Sequence, residues 1–600
     1  MPTLEVNNFN IVCATLGGFI TLFGLVSYLM KEKFYLSEAL ISLIAGLVFS
    51  PHGTNWIRPD DYAFNSPQNL DTITLYFTRL VLGVQLVLAG VQLPSKYMKT
   101  EWKSLSLLLG PCMTIMWLVT SLLVFAMVPH ISFLQALAVG ACVTPTDPVL
   151  SNSIVKGKFA DANIPKELQK IIVAESGAND GLGYPFLFLP LYLIQHIGHG
   201  GQGSDNSTRV AMGLWFGETW GYTIILSVAY GAAVGWVAKE FLHWAEERKY
   251  VDRESFLVFA ITLALFIVGT VGMIGSDDVL ACFIAGNVFT WDDWFRLETM
   301  DDSFQPTIDM LLNVSIFIWL GATCPWSLFA NSPVIPLYRL VLLGILVLLL
   351  RRLPIIYALH KQIHQIEQRR QALFVGFFGP IGISAMFYLF VSLEFLENIK
   401  VDGETREDAA YLMQVMKVVI WFLVICSVIV HGLSIPMGKL GFHIPRTLST
   451  ALSFGRTTSS VPNDSQPAFH VPDYGTTTNA DPRLSRGPGF SRSTGDSLPT
   501  RVVRIGRSLI RSATTTPTAS RAPSLCRPDA RVPMPMNDVT ATTANNNRQD
   551  ADGAAKSKEN DDNGAEERVI PGRTIRFHDE QPTQPQPETA VKVDDKEEEE

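Results

Sequence analysis

The sequence predicts an all-α polytopic membrane protein of about thirteen transmembrane helices followed by a disordered C-terminal tail. Three observations carry that prediction. Apolar runs of about 20 residues, each long enough to cross a hydrocarbon core roughly 30 Å thick, recur from Phe9 to Pro436. The 600 residues are 48% apolar and only 17% charged, with a mean hydropathy of +0.22, which excludes a soluble enzyme of several domains. From Gly438 onward the apolar runs stop, and Ser, Thr, Pro, Asn, Asp and Arg dominate, a composition too polar to bury a core. The expected organisation is a short extracellular N-terminus (1–8), a transmembrane domain (9–436) and a cytoplasmic regulatory tail (437–600).

In order, the spans read from the apolar runs are 9–30, 35–51, 72–94, 104–128, 132–154, 169–195, 216–239, 255–274, 278–291, 308–325, 334–359, 372–393 and 411–436. The fifth carries Thr144-Pro145-Thr146-Asp147-Pro148 and the twelfth Gly379-Pro380-Ile381-Gly382. Pro145, Pro148, Gly379, Pro380 and Gly382 are expected to break these helices inside the membrane. The odd offset between the two reverses chain direction. That predicts inverted six-helix repeats around a connecting helix, with the two broken helices crossing near the bilayer midplane. Met1–Asn8 hold no Lys or Arg, and no small-residue cleavage site follows the first run, so a cleaved signal peptide is not expected.

Loop charges set the orientation. Lys31, Lys33, Lys96, Lys99, Lys103, Lys156, Lys158, Lys166 and Lys170 are among the cations on one set of alternate breaks, against only Arg58, Arg209, Lys400 and Arg406 on the other. The rich set belongs in the cytoplasm, which puts the N-terminus outside, the tail inside and the glycosylation triplet Asn206-Ser207-Thr208 in an external loop. The net charge of −9 averages unlike segments and identifies no partner. The seven cysteines have no spacing suited to a disulfide framework or a zinc site.

An ionisable side chain at the bilayer centre costs at least about 2.5–3.5 kcal/mol, so each one asks for a reason. Asp147 lies in the first broken motif, and Glu175-Ser176-Gly177-Ala178-Asn179-Asp180-Gly181 lies within the sixth span. On a helix Ser176 and Asp180 share a face at i, i+4, and Glu175 and Asn179 lie one step round. With Thr146 and the carbonyls freed near Pro145 and Pro148, these residues gather hard oxygens suited to a small hard cation. Burial favours the neutral acid and a bound cation the carboxylate, so proton and cation would compete for Asp180, as an exchanger requires. For Glu175 the candidate partners are Arg351 and Arg352, the adjacent Arg pair of the eleventh span, in a structural ion pair; Arg352 alternatively reaches the interface by snorkelling. Asp277 and Asp278 follow Gly275-Ser276 and read either as helix caps or as accessory acids. Glu38, Arg79, Asp309 and Lys417 have no partner assignable from sequence.

Thr146-Asp147-Pro148, Glu175-Ser176-x-x-Asn179-Asp180-Gly181, Arg351 and Gly379-Pro380-x-Gly382 together resemble the sodium/proton antiporters of the cation/proton antiporter superfamily, from the first span to the last. Val91-Gln92-Leu93-Pro94, Ser276-Asp277-Asp278 and Val430-His431-Gly432-Leu433-Ser434-Ile435-Pro436 before a long hydrophilic tail are similar to the fungal plasma-membrane Na+(K+)/H+ antiporters. The resemblance implies a homodimer of thirteen-helix protomers whose core moves in an elevator-like displacement. It also implies that Asp180 binds cation and proton in turn, that Asn179, Asp147, Thr146 and Ser176 complete the site, that Glu175 and Arg351 form a buried ion pair, and that Asp277 and Asp278 contribute to activity. Relatives often carry Arg after Gly-Pro, where this chain has Ile381.

The reading that results is a secondary active antiporter, not an enzyme, exporting Na+ and also Li+ and K+ in exchange for H+. It needs no resident cofactor. Its partners are monovalent cations, protons and membrane lipids, with no nucleic acid. Residues 501–511 are basic and suit a short amphipathic helix on anionic lipid, or else kinase sites in solvated disorder. Rival classes are an acid-lined cation channel and a non-transporting salt sensor signalling through the tail. Breaks in both repeats favour alternating access over a continuous pore.

Overall fold

A computed structural model describes residues 6–148, 150–151, 163–197, 207–454, 504–505 and 508–509. The chain divides into two units, Met1–Pro467 and Ala468–Glu600, of which the first carries the helices. Lys156, Lys158, Asn206 of the glycosylation triplet, Cys526 and most of the tail lie outside the described residues.

The helices of the first unit, in order, are α1 (Asn8–Tyr28), α2 (Glu38–Phe49), α3 (Pro67–Gln92), α4 (Trp102–Met127), α5 (Phe133–Cys142), α6 (Lys166–Gly181) and α7 (Gly183–Ile197). They continue with α8 (Ser207–Glu247), α9 (Arg253–Ile274), α10 (Asp278–Phe289), α11 (Phe304–Thr323), α12 (Leu337–Leu350), α13 (Leu353–Leu359), α14 (Arg369–Phe377), α15 (Ile383–Glu397) and α16 (Glu407–Phe454). Among the described residues, eight helices are long and apolar enough to cross a membrane, and α2, α5 and α10 are shorter apolar helices. Leu25, Phe216, Phe241 and Met273 point outward with no protein cover, as side chains meeting lipid do.

Helix ends follow local chemistry. Ser37 and Ser132 accept backbone N–H groups at the starts of α2 and α5, the latter in a reciprocal capping box with Gln135. Gly275, at φ +78°, closes α9. The single span expected over 169–195 is kinked at Leu182 between α6 and α7, because Pro185 has no N–H for the carbonyl of Gly181. The span over 334–359 likewise breaks at Arg351–Arg352, just ahead of Pro354.

The backbone of α16 stays helical to Phe454, past the expected boundary at 437. In the second unit, Arg504-Ile505 pairs antiparallel with Ser508-Leu509; the other residues of the basic segment 501–511 lie outside the described residues.

Helix α3 runs through the middle of the bundle, buried along its second half from Val81 to Val91 against α9, α10 and α15. Beside it α2 crosses α11 so closely that the backbones touch: a Cβ on Gly321 would stand 2.2 Å from the Leu43 carbonyl oxygen, and one on Gly46 would stand 2.2 Å from that of Ile318. Gly321→Val should therefore lower thermal stability in detergent by about 1–3 kcal/mol through overpacking. Gly17→Ala on α1, where an added Cβ meets nothing within 4 Å, should leave it unchanged.

Candidate cation and proton site

The two broken helices meet. After α5 ends at Cys142, residues 143–147 unwind and helix resumes at Pro148, whose missing N–H is harmless at a first helical position. After α14 ends at Phe377, residues 378–382 unwind before α15. The Asp147 N–H donates to the Pro380 carbonyl across the crossing, at 3.0 Å.

Asp147 holds both restarting helices. Its Oδ2 accepts the Leu150 N–H at 2.9 Å and its Oδ1 the Ile383 N–H at 3.0 Å. One carboxylate thus caps two helix N-termini whose donors have no water to turn to. A Cβ on Gly382 would stand 2.6 Å from the Asp147 carboxyl carbon, so this approach requires glycine.

The opposite helix ends are held by Arg351, 3% exposed. Its guanidinium donates to the carbonyls of Val143 and Gly379, and at 3.4 Å to those of Thr144 and Pro145. The pairing implied for Glu175 is therefore corrected: its partner is Arg352, with Nη1 to Oε1 at 2.6 Å and Nη2 to Oε2 at 2.7 Å, while Arg352 Nε donates to the Val375 carbonyl at 3.0 Å. Arg352 is equally buried and does not snorkel. The physical reason is the helix break. Arg351 ends α12 facing the unwound carbonyls, and Arg352 begins the next turn facing α6.

Thr146, Ser176 and Asn179 satisfy one another. The Thr146 N–H donates to Asn179 Oδ1 at 3.2 Å, Asn179 Nδ2 donates to Thr146 Oγ1 at 2.8 Å, and the Thr146 and Ser176 hydroxyls lie 3.1 Å apart. Asp180 is different. It is 1% exposed, and neither carboxyl oxygen has a hydrogen-bond partner among the described residues. A carboxyl so placed costs several kcal/mol as a bare anion, and it is stable only as the neutral acid or beside a cation.

Asp277 and Asp278 split their roles. Asp277 Oδ1 caps α10 through the Leu280 N–H at 3.0 Å, while its Oδ2 has no partner among the described residues. Asp278 pairs with Arg79 at 2.6 Å. The other isolated charges also find partners: Lys31 for Glu38, Gln85 for Asp309 at 3.1 Å, and Asp71 for Lys417 at 2.7 Å. Sequence reasoning missed the double cap made by Arg351, the Tyr388 hydroxyl, which donates to the backbone carbonyl of Asp180, and Ser384. Only the adjacent Arg pair and the break at Gly382 signalled anything at these places.

Membrane-length helices with two unwound segments crossing beside a buried carboxyl are the architecture characteristic of secondary-transporter folds. The comparisons with known proteins agree. The sequence model described as sodium/hydrogen exchanger, transmembrane, matches residues 18–437. The chain is 38% identical to the Na+/H+ antiporter 2 of Zygosaccharomyces rouxii, over 76% of this chain and 56% of that protein. It is 37% identical to the Na+/H+ antiporter of Saccharomyces cerevisiae, over 77% of this chain and 46% of that protein. With a Na+/H+ antiporter of Schizosaccharomyces pombe the identity is 30%, over 72% and 90%. The solved sodium proton antiporter MjNhaP1 of Methanocaldococcus jannaschii has the same fold at a TM-score of 0.50 and 17% identity, covering 72% of this chain and 98% of that one. The protein belongs to the sodium/hydrogen exchanger family and is a multi-pass membrane protein. It spans about half the length of the Z. rouxii and S. cerevisiae relatives.

Removing one partner of the Glu175–Arg352 pair should be worse than removing both. Arg352→Met or Glu175→Met alone should destabilise the protein by about 3–5 kcal/mol, because each leaves a buried charge unpaired. The double substitution should recover most of that loss, measured as the melting temperature of the purified protein in detergent.

Proposed function

We propose that this chain is a Na+/H+ antiporter that exports Na+, and with it Li+ and K+, in exchange for H+, with Asp180 as the group that proton and cation occupy in turn. The observation that carries this reading is the contrast between the two buried acids of the crossing. Asp147 has both oxygens engaged by backbone N–H groups, whereas Asp180 has neither engaged. Asp147 therefore anchors the broken helices and Asp180 is left to carry the exchanged ions. In the occluded conformer Asp180 holds the proton as a neutral acid. On release, its carboxylate and the oxygens of Thr146, Ser176 and Asn179 replace the water shell of an incoming cation. One carboxyl cannot hold both ions at once, so transport of one obliges countertransport of the other.

The rest of the reading follows the family. The helices correspond to thirteen crossings in two inverted repeats, supported by breaks at 143–147 and 378–382 in matching positions. The protein functions as a homodimer in the plasma membrane, with its N-terminus outside and its tail in the cytoplasm, where kinases or lipids regulate it. Its roles are salt tolerance and the balance of pH and K+.

Reconstituted full-length protein tests the proposal. Asp180→Asn should bring Na+-driven proton flux in proteoliposomes down to that of empty vesicles while leaving expression and melting temperature intact. Retained exchange in this variant would remove Asp180 from the mechanism, and cation flux without proton countermovement in the unmodified protein would identify a channel.

A further inference from the structure

Ser384 lies in the first turn of α15, is 1% exposed, and its hydroxyl has no hydrogen-bond partner among the described residues. Buried hydroxyls ordinarily bond back to the carbonyl four residues earlier. For Ser384 that acceptor is Pro380, whose oxygen already receives the Asp147 N–H.

Its neighbours fix where it points. Ile383, one residue before, gives its N–H to the Asp147 carboxylate. Tyr388, four residues later and so on the same helical face, gives its hydroxyl hydrogen to the Asp180 backbone carbonyl. Ser384 is thus bracketed between Asp147 and Asp180, and its hydroxyl is close enough to act on the Asp180 carboxyl. The two oxygens of Asp180 and the hydroxyl of Ser384 converge on one place and face each other, and none of the three has a further hydrogen-bond partner among the described residues.

We propose that Ser384 Oγ is a ligand of the transported cation and helps set the preference among Li+, Na+ and K+; the inference rests on Asp180 being the cation carrier. A hydroxyl suits the role because it both donates and accepts. It can give its hydrogen to the Asp180 carboxylate when no cation is bound, then turn a lone pair to the ion when one arrives. The positive N-terminal end of α15 would oppose a cation here, but the Asp147 carboxylate on the Ile383 N–H offsets it. Smaller ions hold water more tightly and need each replacing oxygen more, so loss of this ligand falls hardest on Li+ and Na+.

The test compares Ser384→Ala, Ser384→Thr and Ser384→Cys with the unmodified protein in proteoliposomes, measuring KM for Li+, Na+ and K+ and the pH profile of exchange. Folding is followed by size-exclusion chromatography. Ser384→Ala should raise the KM for Na+ about fivefold, the worth of one net polar contact, with a smaller change for K+ and little change in kcat. Ser384→Thr should keep the original preference. Ser384→Cys, close in volume but with a soft sulfur in place of the hard oxygen, should behave like Ser384→Ala and serves in its place if that variant folds poorly. Unchanged KM values for all three cations would overturn the proposal. So would an equal rise for all three with a shifted pH profile, which would assign Ser384 to the proton instead. Asp180→Asn, run alongside, separates the two readings: exchange retained there removes the carrier itself, whatever Ser384 does.

Discussion

The crossing of two unwound segments inside the bundle creates a problem of charge as much as of shape. Each break leaves backbone N–H groups on one side and carbonyls on the other with no helical partner and no water. Asp147 takes N–H groups from both restarting helices, and Arg351 gives its hydrogens to the carbonyls of both ending ones. An anion at the positive ends and a cation at the negative ends is the arrangement the peptide dipoles favour. The direct bond from the Asp147 N–H to the Pro380 carbonyl then sets the register of one segment against the other.

That solution decides what the remaining charges are free to do. Asp147 and Arg351 are committed to backbone, and Glu175 and Arg352 to each other in a bidentate pair that joins α6 to the start of α13. Thr146, Ser176 and Asn179 hydrogen-bond to one another, and Ser176 also meets the Ser151 hydroxyl at 3.3 Å. Asp180 is left over on the same helix as Glu175, with the same burial and the opposite treatment. A chain under selection for stability alone would pair or delete such a carboxyl, since an unpaired buried acid costs folding free energy. Its isolation is a local violation of the rules that the surroundings obey, and such violations concentrate at functional sites.

Much of this was legible in the sequence because it is local. Pro145, Pro148, Pro380 and Gly382 announce the breaks, and i, i+4 spacing puts Ser176 and Asp180 on one face. What failed was long range or depended on an unforeseen break. Arg351 and Arg352 cannot be told apart by helical periodicity when the helix stops at Leu350 and restarts at Leu353. Arg79 and Asp278 are 199 residues apart, Lys417 and Asp71 346 apart, and no spacing rule reaches that far. Ser384 sits within an apolar run where a single serine carries no signal, and only its place beside the Asp180 carboxyl makes it stand out.

Two polar clefts among the described residues lie on the bundle. One, of about 440 Å3, is lined by Lys31, Glu38, Arg296 and Asp309, and the other, of about 180 Å3, by Asp71, Glu394, Glu397 and Lys417. Asp180 lines neither. The second cleft lies between α3 on one side and α15 and α16 on the other, and the Lys417–Asp71 pair bridges it at 2.7 Å. Both side chains are about one-third exposed, so the bridge has the strength of a partly screened ion pair, on the order of 1 kcal/mol or less. The contacts inside the crossing are charge-assisted, buried and several in number. The contact across this cleft, between the first half of α3 and the α15–α16 pair, is therefore weaker than those inside the crossing.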